Sequence, residues 1–272
     1  PVGIAVDDSY IYFTDSFHRL IKLRKTDYSF IKQIGTTLTY ASSGNYEFST
    51  PSQVAIYGDE LYVADYGNHA IKVYNKNELS FLRKYQVSRG SNIDNLRYPR
   101  GVAVDENFVY ISDTDNHRVM VRNKSDSSYA RHYGGTAGNG QDQLNAPRDI
   151  AVDDNYLYIA DYSNHRIMIR NKLDLNYVTQ LGTTGSCSSA QDRFCNPTGV
   201  FVDTNYLYIA DYSTHRIKKY QKGTWTLVNM RPASGGSSGY DFNRFVTPTS
   251  IAVDSEGFVY TTDQSNYRIV KS

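Results

Sequence analysis

Aspartate and histidine recur at a fixed spacing, and together these two residue types can bind a metal ion or relay a proton. A group used for catalysis would occur once, whereas this pair occurs in segment after segment, so we interpret it as structural. The carboxylate can accept backbone N–H groups across a tight turn, and the His and the Arg that usually follows can tie the turn to a neighbouring segment. The positions are Asp15, Asp65, Asp113, Asp161, Asp211 and Asp263, with His18, His69, His117, His165 and His215.

These residues belong to a repeat of about fifty residues. Each copy opens at a proline, and the openings at 1, 51, 99, 147, 197 and 248 are 50, 48, 48, 50 and 51 residues apart. The fourth copy begins PRDIAVDDNYLYIADYSNHRIMIR. Short runs of Ile, Val and Tyr separated by Asp, Asn and Ser predict strands rather than helices. Six copies without a linker indicate a repeat architecture, and we expect residues 1–272 to form one domain.

Each copy can hold four strands, and a four-stranded unit repeated six times favours an all-β propeller. The run Leu157 to Ala160 is apolar at every position. A strand covered on both faces by neighbouring blades requires this, whereas a sandwich would show polar alternation. The last copy ends at Ser272, after its third strand, so we expect a last blade that lacks its outer strand or is closed by residues outside this chain. Fourth strands are predicted near Phe81 to Val87, Tyr129 to Tyr133, Tyr177 to Leu181 and Trp225 to Val228.

The repeat resembles the NHL repeat, named for Asn-His-Leu, over essentially the whole chain. The resemblance rests on Pro-x-Gly-Ile-Ala-Val-Asp, Tyr-Ile-Ala-Asp and Asn-His-Arg-Ile, and on a glycine-rich linker from Gly134 to Gly140 that leads to Pro147. It implies a six-bladed propeller whose first strands line a channel. It also implies that the linkers between blades and the turns between second and third strands form one face, where NHL domains usually bind partners.

Charge and hydropathy exclude some classes of function. There are 29 Lys and Arg against 28 Asp and Glu, so the chain as a whole does not attract nucleic acid or acidic membranes. We expect no membrane span, because no apolar run approaches the necessary length. Since the sequence starts at a repeat boundary without a Met, we expect a processed product, part of a longer chain or a subunit of a larger assembly.

Four polar residues interrupt the repeat where the first strands begin. They are Gln53, Arg100, Arg148 and Asp149, which lie one or two positions after the opening prolines. At one mouth of the channel they could hold an anion, a peptide or a cation, or Arg148 and Asp149 could simply solvate the rim. NHL-like amidating lyases use histidine zinc ligands on inner strands, and no histidine lies there. We therefore predict no enzymatic activity, no metal and no cofactor.

Aromatic residues follow the repeated Asp in several copies and would lie on the face of linkers and turns. Aromatic rings combine an apolar body with, for Tyr, a polar tip, and they serve well as contact surface. They could stack on a glycan or dock a peptide, or they could only cover neighbouring turns. The candidates are Phe17, Tyr66, Tyr162 and Tyr212.

Two cysteines lie close together in one loop. Cys187 and Cys195 flank a Ser-rich segment before Pro197, which suggests a local disulfide and an oxidising compartment. Two unpaired loop thiols are the alternative. Asn123 opens an Asn-Lys-Ser sequon, a candidate for glycosylation.

Arginines in the linkers raise the possibility of single-stranded RNA binding, as in some NHL domains. Asp residues are interleaved with them, however, and phosphate binding requires a stripe of uncompensated charge. The sequence therefore favours a non-catalytic interaction or scaffold module, extracellular or in the secretory pathway, with a protein or glycan partner. An RNA-binding domain and an NHL-like lyase or hydrolase are the alternatives.

Overall fold

The computed structural model describes residues 1–36, 44–85, 88–231, 239, 241 and 244–272. Six antiparallel sheets, numbered here as blades 1 to 6 in chain order, follow one another along the sequence. The first strands of successive blades contact one another, and the first strand of blade 6 contacts that of blade 1, which closes a ring. Within the described residues, no helix is long and apolar enough to cross a membrane.

The strands run in simple order from the channel outward in every blade. Blade 1 has β1 Ile4–Val6, β2 Tyr10–Thr14, β3 Arg19–Arg24 and β4 Phe30–Gly35; blade 2 has β5 Pro51–Tyr57, β6 Glu60–Asp65, β7 Ala70–Asn75 and β8 Phe81–Tyr85; blade 3 has β9 Pro99–Val104, β10 Phe108–Asp113, β11 Arg118–Asn123 and β12 Tyr129–Gly134. Blade 4 has β13 Pro147–Val152, β14 Tyr156–Asp161, β15 Arg166–Asn171 and β16 Tyr177–Leu181; blade 5 has β17 Pro197–Val202, β18 Tyr206–Asp211, β19 Arg216–Gln221 and β20 Leu227–Arg231; blade 6 has β21 Pro248–Val253, β22 Val259–Asp263 and β23 Arg268–Lys271.

Two of the predicted fourth strands differ from those observed. β8 is described as far as Tyr85, and the predicted end at Val87 lies outside the described residues. β20 begins at Leu227 rather than Trp225, because Trp225 has a left-handed backbone with φ of 57°. That conformation ends the turn after β19 and cannot continue a strand.

The apolar core lies between the blades. Six clusters of buried side chains each join two neighbouring blades, and Leu157, Ile159 and Ala160 of β14 are fully buried. Burying a side chain such as Leu or Ile stabilises the fold by about 1.5–3 kcal/mol. The cluster between blades 6 and 1 is the smallest and contains Ile4, Ile11, Ala252 and Tyr260. The closure of the ring therefore depends on fewer apolar contacts than the other blade interfaces.

Blade 6 has three strands, in the order β21, β22, β23, as the sequence predicts. Val259 and Ser272 exchange two backbone hydrogen bonds of 2.9 Å, which extend the pairing beyond β23 to the last residue. Within the described part of the chain, no further strand pairs with the outer edge of β23.

The repeated Asp lies at the end of each second strand and fastens the linker that enters its own blade. In blade 4, Asp161 Oδ1 accepts the backbone N–H of Asn145 at 2.7 Å, and Oδ2 accepts Arg166 Nε at 2.8 Å. Blades 2, 3, 5 and 6 repeat the backbone contact. Among the described contacts, only the Asp of blade 1 accepts backbone N–H groups of its own turn, those of Phe17 and Arg19. In blades 2, 3, 4 and 6 the turn contributes a side chain instead, since an Asn amide donates to Oδ2 of the Asp. The expectation of a bond across the tight turn therefore describes Asp15, while the other five carboxylates reach a linker.

The repeated His joins each blade to the next. His117 Nδ1 accepts the backbone N–H of Ala146 at 3.1 Å, and His18, His69, His165 and His215 make the same contact with the residue before the next opening proline. These His residues have φ between 51° and 63°. The left-handed conformation costs about 1–2 kcal/mol for a residue with a Cβ, so the contact must offset that cost. The Asp–His pattern is accordingly a structural clamp between linkers and turns.

The buried pair Asp161–Arg166 yields a prediction about stability. Replacing Asp161 by Ala leaves the Arg166 guanidinium buried without its carboxylate, and breaking such a pair should lower the free energy of unfolding by about 3–5 kcal/mol. Asp154→Ala, at an exposed site one strand earlier, is the matched control and should change it by less than about 0.5 kcal/mol. Urea unfolding measures the free energy of unfolding of both variants. Equal effects would contradict a structural role for the Asp161–Arg166 pair.

Candidate functional site

The residues two positions after each opening proline meet around the channel. They are glycine in blades 1, 3 and 5 and a polar residue in blades 2, 4 and 6: Gly3, Gln53, Gly101, Asp149, Gly199 and Ser250. A Cβ built on Gly101 would lie 2.7 Å from the Cα of Asp149, and one on Gly199 would lie 3.0 Å from the Cα of Ser250. The ring is too narrow for six side chains at this level, so alternate blades contribute them.

Gln53, Asp149 and Ser250 bond to one another and form what we call the polar plug. Gln53 Nε2 donates to Asp149 Oδ2 at 2.7 Å, and Ser250 Oγ donates to Gln53 Oε1 at 2.8 Å. Blades 5 and 1, which have glycine at this position, add backbone donors. The N–H of Val200 donates to Asp149 Oδ2 at 3.0 Å, and that of Ile4 donates to Ser250 Oγ at 3.2 Å. Three nonadjacent blades are thereby connected across the channel.

Asp149 lies inside the plug and is only 3% exposed. Burial raises its pKa to about 7, although the N–H groups of Val200 and Ile150 and the amide of Gln53 favour the charged form. The carboxyl group is therefore partly protonated at neutral pH. The idea that Arg148 and Asp149 together solvate the rim does not describe this carboxyl group, which is buried and bonded to Gln53.

The plug divides the channel. On one side is an apolar passage of about 200 Å³ lined by Ile, Val, Ala and Phe201 of the first strands, and Gln53 borders it. On the other side is a recess of about 70 Å³. We call this recess, with the residues around it, the mouth. It is lined by Val2, Gly3, Ser52, Gln53, Arg100, Arg148, Asp149, Thr198, Thr249, Ser250 and Gln264.

Two arginines from neighbouring blades lie at the mouth, each over a tyrosine ring. The guanidinium carbon of Arg148 is 3.5 Å from the ring centroid of Tyr162, and that of Arg100 is 4.2 Å from the ring of Tyr66. Burial and the charge of Arg100 lower the pKa of Arg148 to about 10, so it stays charged at neutral pH. Neither guanidinium forms an ion pair or donates a hydrogen bond to any residue that the structure describes.

The structure thus brings together most of the residues predicted to bind a partner. Tyr66, Tyr162 and Tyr212 lie close enough to Arg148 for their phenol groups to affect its pKa. Phe17 is not one of the residues that affect the pKa of Arg148. Its turn is one residue shorter, and the ring is 58% exposed with Arg19 5.6 Å from its centroid.

Sequence reasoning missed Tyr98. Its ring packs against that of Tyr66 with centroids 4.8 Å apart, and the guanidinium carbon of Arg89 lies 5.2 Å from the centroid of the Tyr98 ring. Arg100, Tyr66, Tyr98 and Arg89 therefore form a series that extends from the mouth onto the linker. A signal was present, because Tyr98 precedes an opening proline where the other copies have Thr50, Ala146, Asn196 and Thr247.

Cys187 and Cys195 form a disulfide in the linker before blade 5. The backbone N–H of Cys195 also donates to Asp211 Oδ1 at 2.7 Å, so the bridge holds the linker where the repeated Asp fastens it. Asn123 ends β11, at the face opposite the mouth, and its side-chain amide donates to Ser128 Oγ at 2.8 Å. Within the described part of the chain, no three His, Cys, Asp or Glu side chains cluster as metal ligands would.

The family of the repeat follows from a comparison with known sequence families. The NHL repeat profile matches residues 96–121, 144–169 and 194–220, which cover the first three strands of blades 3, 4 and 5. The chain contains NHL repeats and forms a β-propeller with six blades. The profile of another repeat, LVIVD, matches residues 51–71 of blade 2. No curated protein sequence matches the chain.

Solved structures with similar folds have few identical residues. An auxiliary nutrient binding protein from Bacteroides ovatus ATCC 8483 has a TM-score of 0.71 and 14% identity over 99% of this chain and 68% of that one. One from Bacteroides thetaiotaomicron VPI-5482 has 0.69 and 15% over 99% and 68%. Hydrazine synthase from Kuenenia stuttgartiensis has 0.65 and 12% over 100% and 95%. At such identities the likeness establishes the propeller fold alone.

The buried Asp149 predicts a pH-dependent stability for this NHL propeller. Because its folded pKa of about 7 exceeds the usual 3.8, the proton stabilises the fold fully below about pH 4, and this contribution is lost as the pH rises through about 7. The loss should reach about 4 kcal/mol, at about 1.4 kcal/mol for each pKa unit.

Asp149→Asn cannot ionise and isolates this effect. The free energy of unfolding of the wild type should fall relative to that of the variant between about pH 4 and about pH 8, as followed by urea unfolding. Parallel pH profiles of the two proteins would show that Asp149 is not held in the neutral form.

Proposed function

We propose that this NHL propeller is a non-catalytic binding module that holds a protein or glycan partner on the face formed by its linkers and its turns between second and third strands. The observation that carries this proposal is the pair Arg100 and Arg148 at the mouth. Two charged groups that pair with no carboxylate in the described part of the chain, each over a tyrosine, form a contact surface that is already ordered before a partner arrives. An ordered anchor loses little conformational entropy on binding, which favours affinity.

The polar plug supports a binding role rather than a catalytic one. The Asp149 carboxyl group is a candidate acid or base by its raised pKa, but it accepts three hydrogen bonds from Gln53, Val200 and Ile150. A general acid or base must reach the proton that it transfers. The two nutrient binding proteins of similar fold are consistent with a binding module, while the hydrazine synthase is named for an activity, so fold alone does not decide the function.

Charges on the linkers favour a protein or glycan over RNA. Asp94 pairs with Arg122, Asp142 with Arg170 and Asp115 with Arg97, so carboxylates accompany the arginines beyond the mouth. A single-stranded nucleic acid needs a continuous positive groove to follow its phosphates. We expect binding of the partner to weaken only modestly as salt increases.

The tyrosines of the mouth provide the test. A Tyr162→Ala, Tyr212→Ala double variant should bind the partner at least tenfold more weakly, because it removes contact surface and the support of Arg148. Leu173→Ala is the control, since Leu173 is 78% exposed in the turn after β15, on the opposite face. Glycan arrays and panels of purified surface proteins can identify the partner. A correctly folded double variant that binds like the wild type would contradict the proposed face.

The disulfide supports an extracellular or secretory location, because such bridges form and persist outside the reducing cytosol. The native protein should react with an alkylating reagent at Cys187 and Cys195 only after reduction, as seen in its intact mass. The same measurement tests Asn123 for a glycan. Free thiols together with an unmodified Asn123 would contradict this location and would make RNA binding the next function to test.

A further inference from the structure

The uncompensated charge at the mouth indicates what chemical group the partner presents there. Arg100 and Arg148 come from adjacent blades and lie close enough that the charge of one lowers the pKa of the other. Two like charges held together without a carboxylate partner repel each other, and an anion between them would relieve that repulsion. Asp149 does not serve as this anion, since its hydrogen bonds lie within the plug.

We infer that the mouth is a carboxylate site that receives one acidic side chain, an Asp or a Glu, from a partner protein. This inference deepens the proposed binding function and rests on it. The guanidinium carbons of Arg148 and Arg100 lie 3.5 and 4.2 Å from the ring centroids of Tyr162 and Tyr66, so each arginine is supported by a tyrosine. A guanidinium group presents its N–H donors as a planar fork, which can donate two parallel hydrogen bonds to a carboxylate.

The size of the recess favours an acidic side chain over an acidic sugar. About 70 Å³ has room for about five water molecules, which suits a carboxylate on a stem of one or two carbons. An acidic sugar bears its carboxylate directly on a ring, which is bulkier than such a stem and is less well accommodated by a recess of this volume.

Three hydroxyl groups at the rim already donate to backbone carbonyls. Ser52 Oγ donates to the carbonyl of Arg100 at 2.6 Å, Thr198 Oγ1 to that of Pro248 at 3.0 Å, and Thr249 Oγ1 to that of Val2 at 2.8 Å. These bonds tie neighbouring blades together. Sugar hydroxyl groups would need such donors, whereas a carboxylate needs only the two arginines.

Titration of ¹⁵N-labelled protein, followed at the side-chain Nε–H signals of arginine, tests this site. The probes are the blocked tripeptides acetyl-Gly-Glu-Gly-amide and acetyl-Gly-Gln-Gly-amide, together with glucuronate and inorganic phosphate, in a low-salt buffer without carboxylate or phosphate. The Glu peptide should shift the signals of Arg100 and Arg148 with a Kd on the order of millimolar. The Gln peptide and glucuronate should bind at least tenfold more weakly, because one lacks the charge and the other does not fit.

Three variants separate recognition from folding. Arg148→Ala should weaken binding of the Glu peptide at least tenfold, and Arg148→Lys should also weaken it, because an ammonium group keeps the charge but cannot donate the parallel pair of bonds. Arg24→Ala removes an exposed arginine at the opposite face and should bind like the wild type. A circular dichroism melt confirms that each variant is folded.

Several results would overturn the inference. Equal shifts with the Glu and Gln peptides would show that charge is not recognised. Tighter binding of glucuronate or phosphate than of the Glu peptide would assign the site to a sugar acid or a phosphate group. If the tyrosine variants lose partner binding while Arg100→Ala and Arg148→Ala retain it, the result supports the binding face and contradicts the carboxylate site. If the Glu peptide binds but the tyrosine variants still bind the partner, the result supports the carboxylate site and contradicts the proposed face.

Discussion

Every blade depends on burial of both faces of its sheet against its two neighbours. A strand such as β14, apolar at consecutive positions, has no solvent-facing side and would be unstable in an isolated blade. The sheet is covered on both faces only when a neighbouring blade packs on each side. This constraint explains why the repeated Asp, His and Arg residues hold linkers and turns in place, because they fix how each blade enters its position against the next.

The narrow centre of the ring turns a nearly symmetric sequence into an asymmetric site. Six first strands converge so closely that alternate blades have glycine where the others place Gln53, Asp149 or Ser250. These three side chains satisfy one another across the channel and leave a shallow recess above them. Because the plug is assembled from blades 2, 4 and 6, it also connects parts of the ring that have no common interface.

Charge at the mouth follows from the same geometry. The position after the opening proline is Val, Ser or Thr in four copies and Arg in two adjacent ones, so both guanidinium groups lie on one side of the mouth. The two guanidinium groups lie over the rings of Tyr66 and Tyr162 in the turns, and the Asp149 carboxyl group is held inside the plug. A rigid pair of donors at the centre of a face rich in aromatic residues is the feature on which the proposed function rests.

The sequence by itself determined the six-bladed propeller, the strand content of each blade and the three-stranded last blade, because period, apolar runs and turn residues recur in every copy. It also drew attention to Arg100 and Arg148, which depart from the repeat, and to the tyrosines, which follow the repeated Asp in several copies. Only the tertiary structure decided which of them meet: that Gln53 and Asp149 close the channel while Arg148 lies over Tyr162, that Phe17 lies apart, and that Tyr98 joins the series. The contact of Gln53 with Asp149 links different blades, and its distance depends on how the ring closes, which no local pattern of residues records.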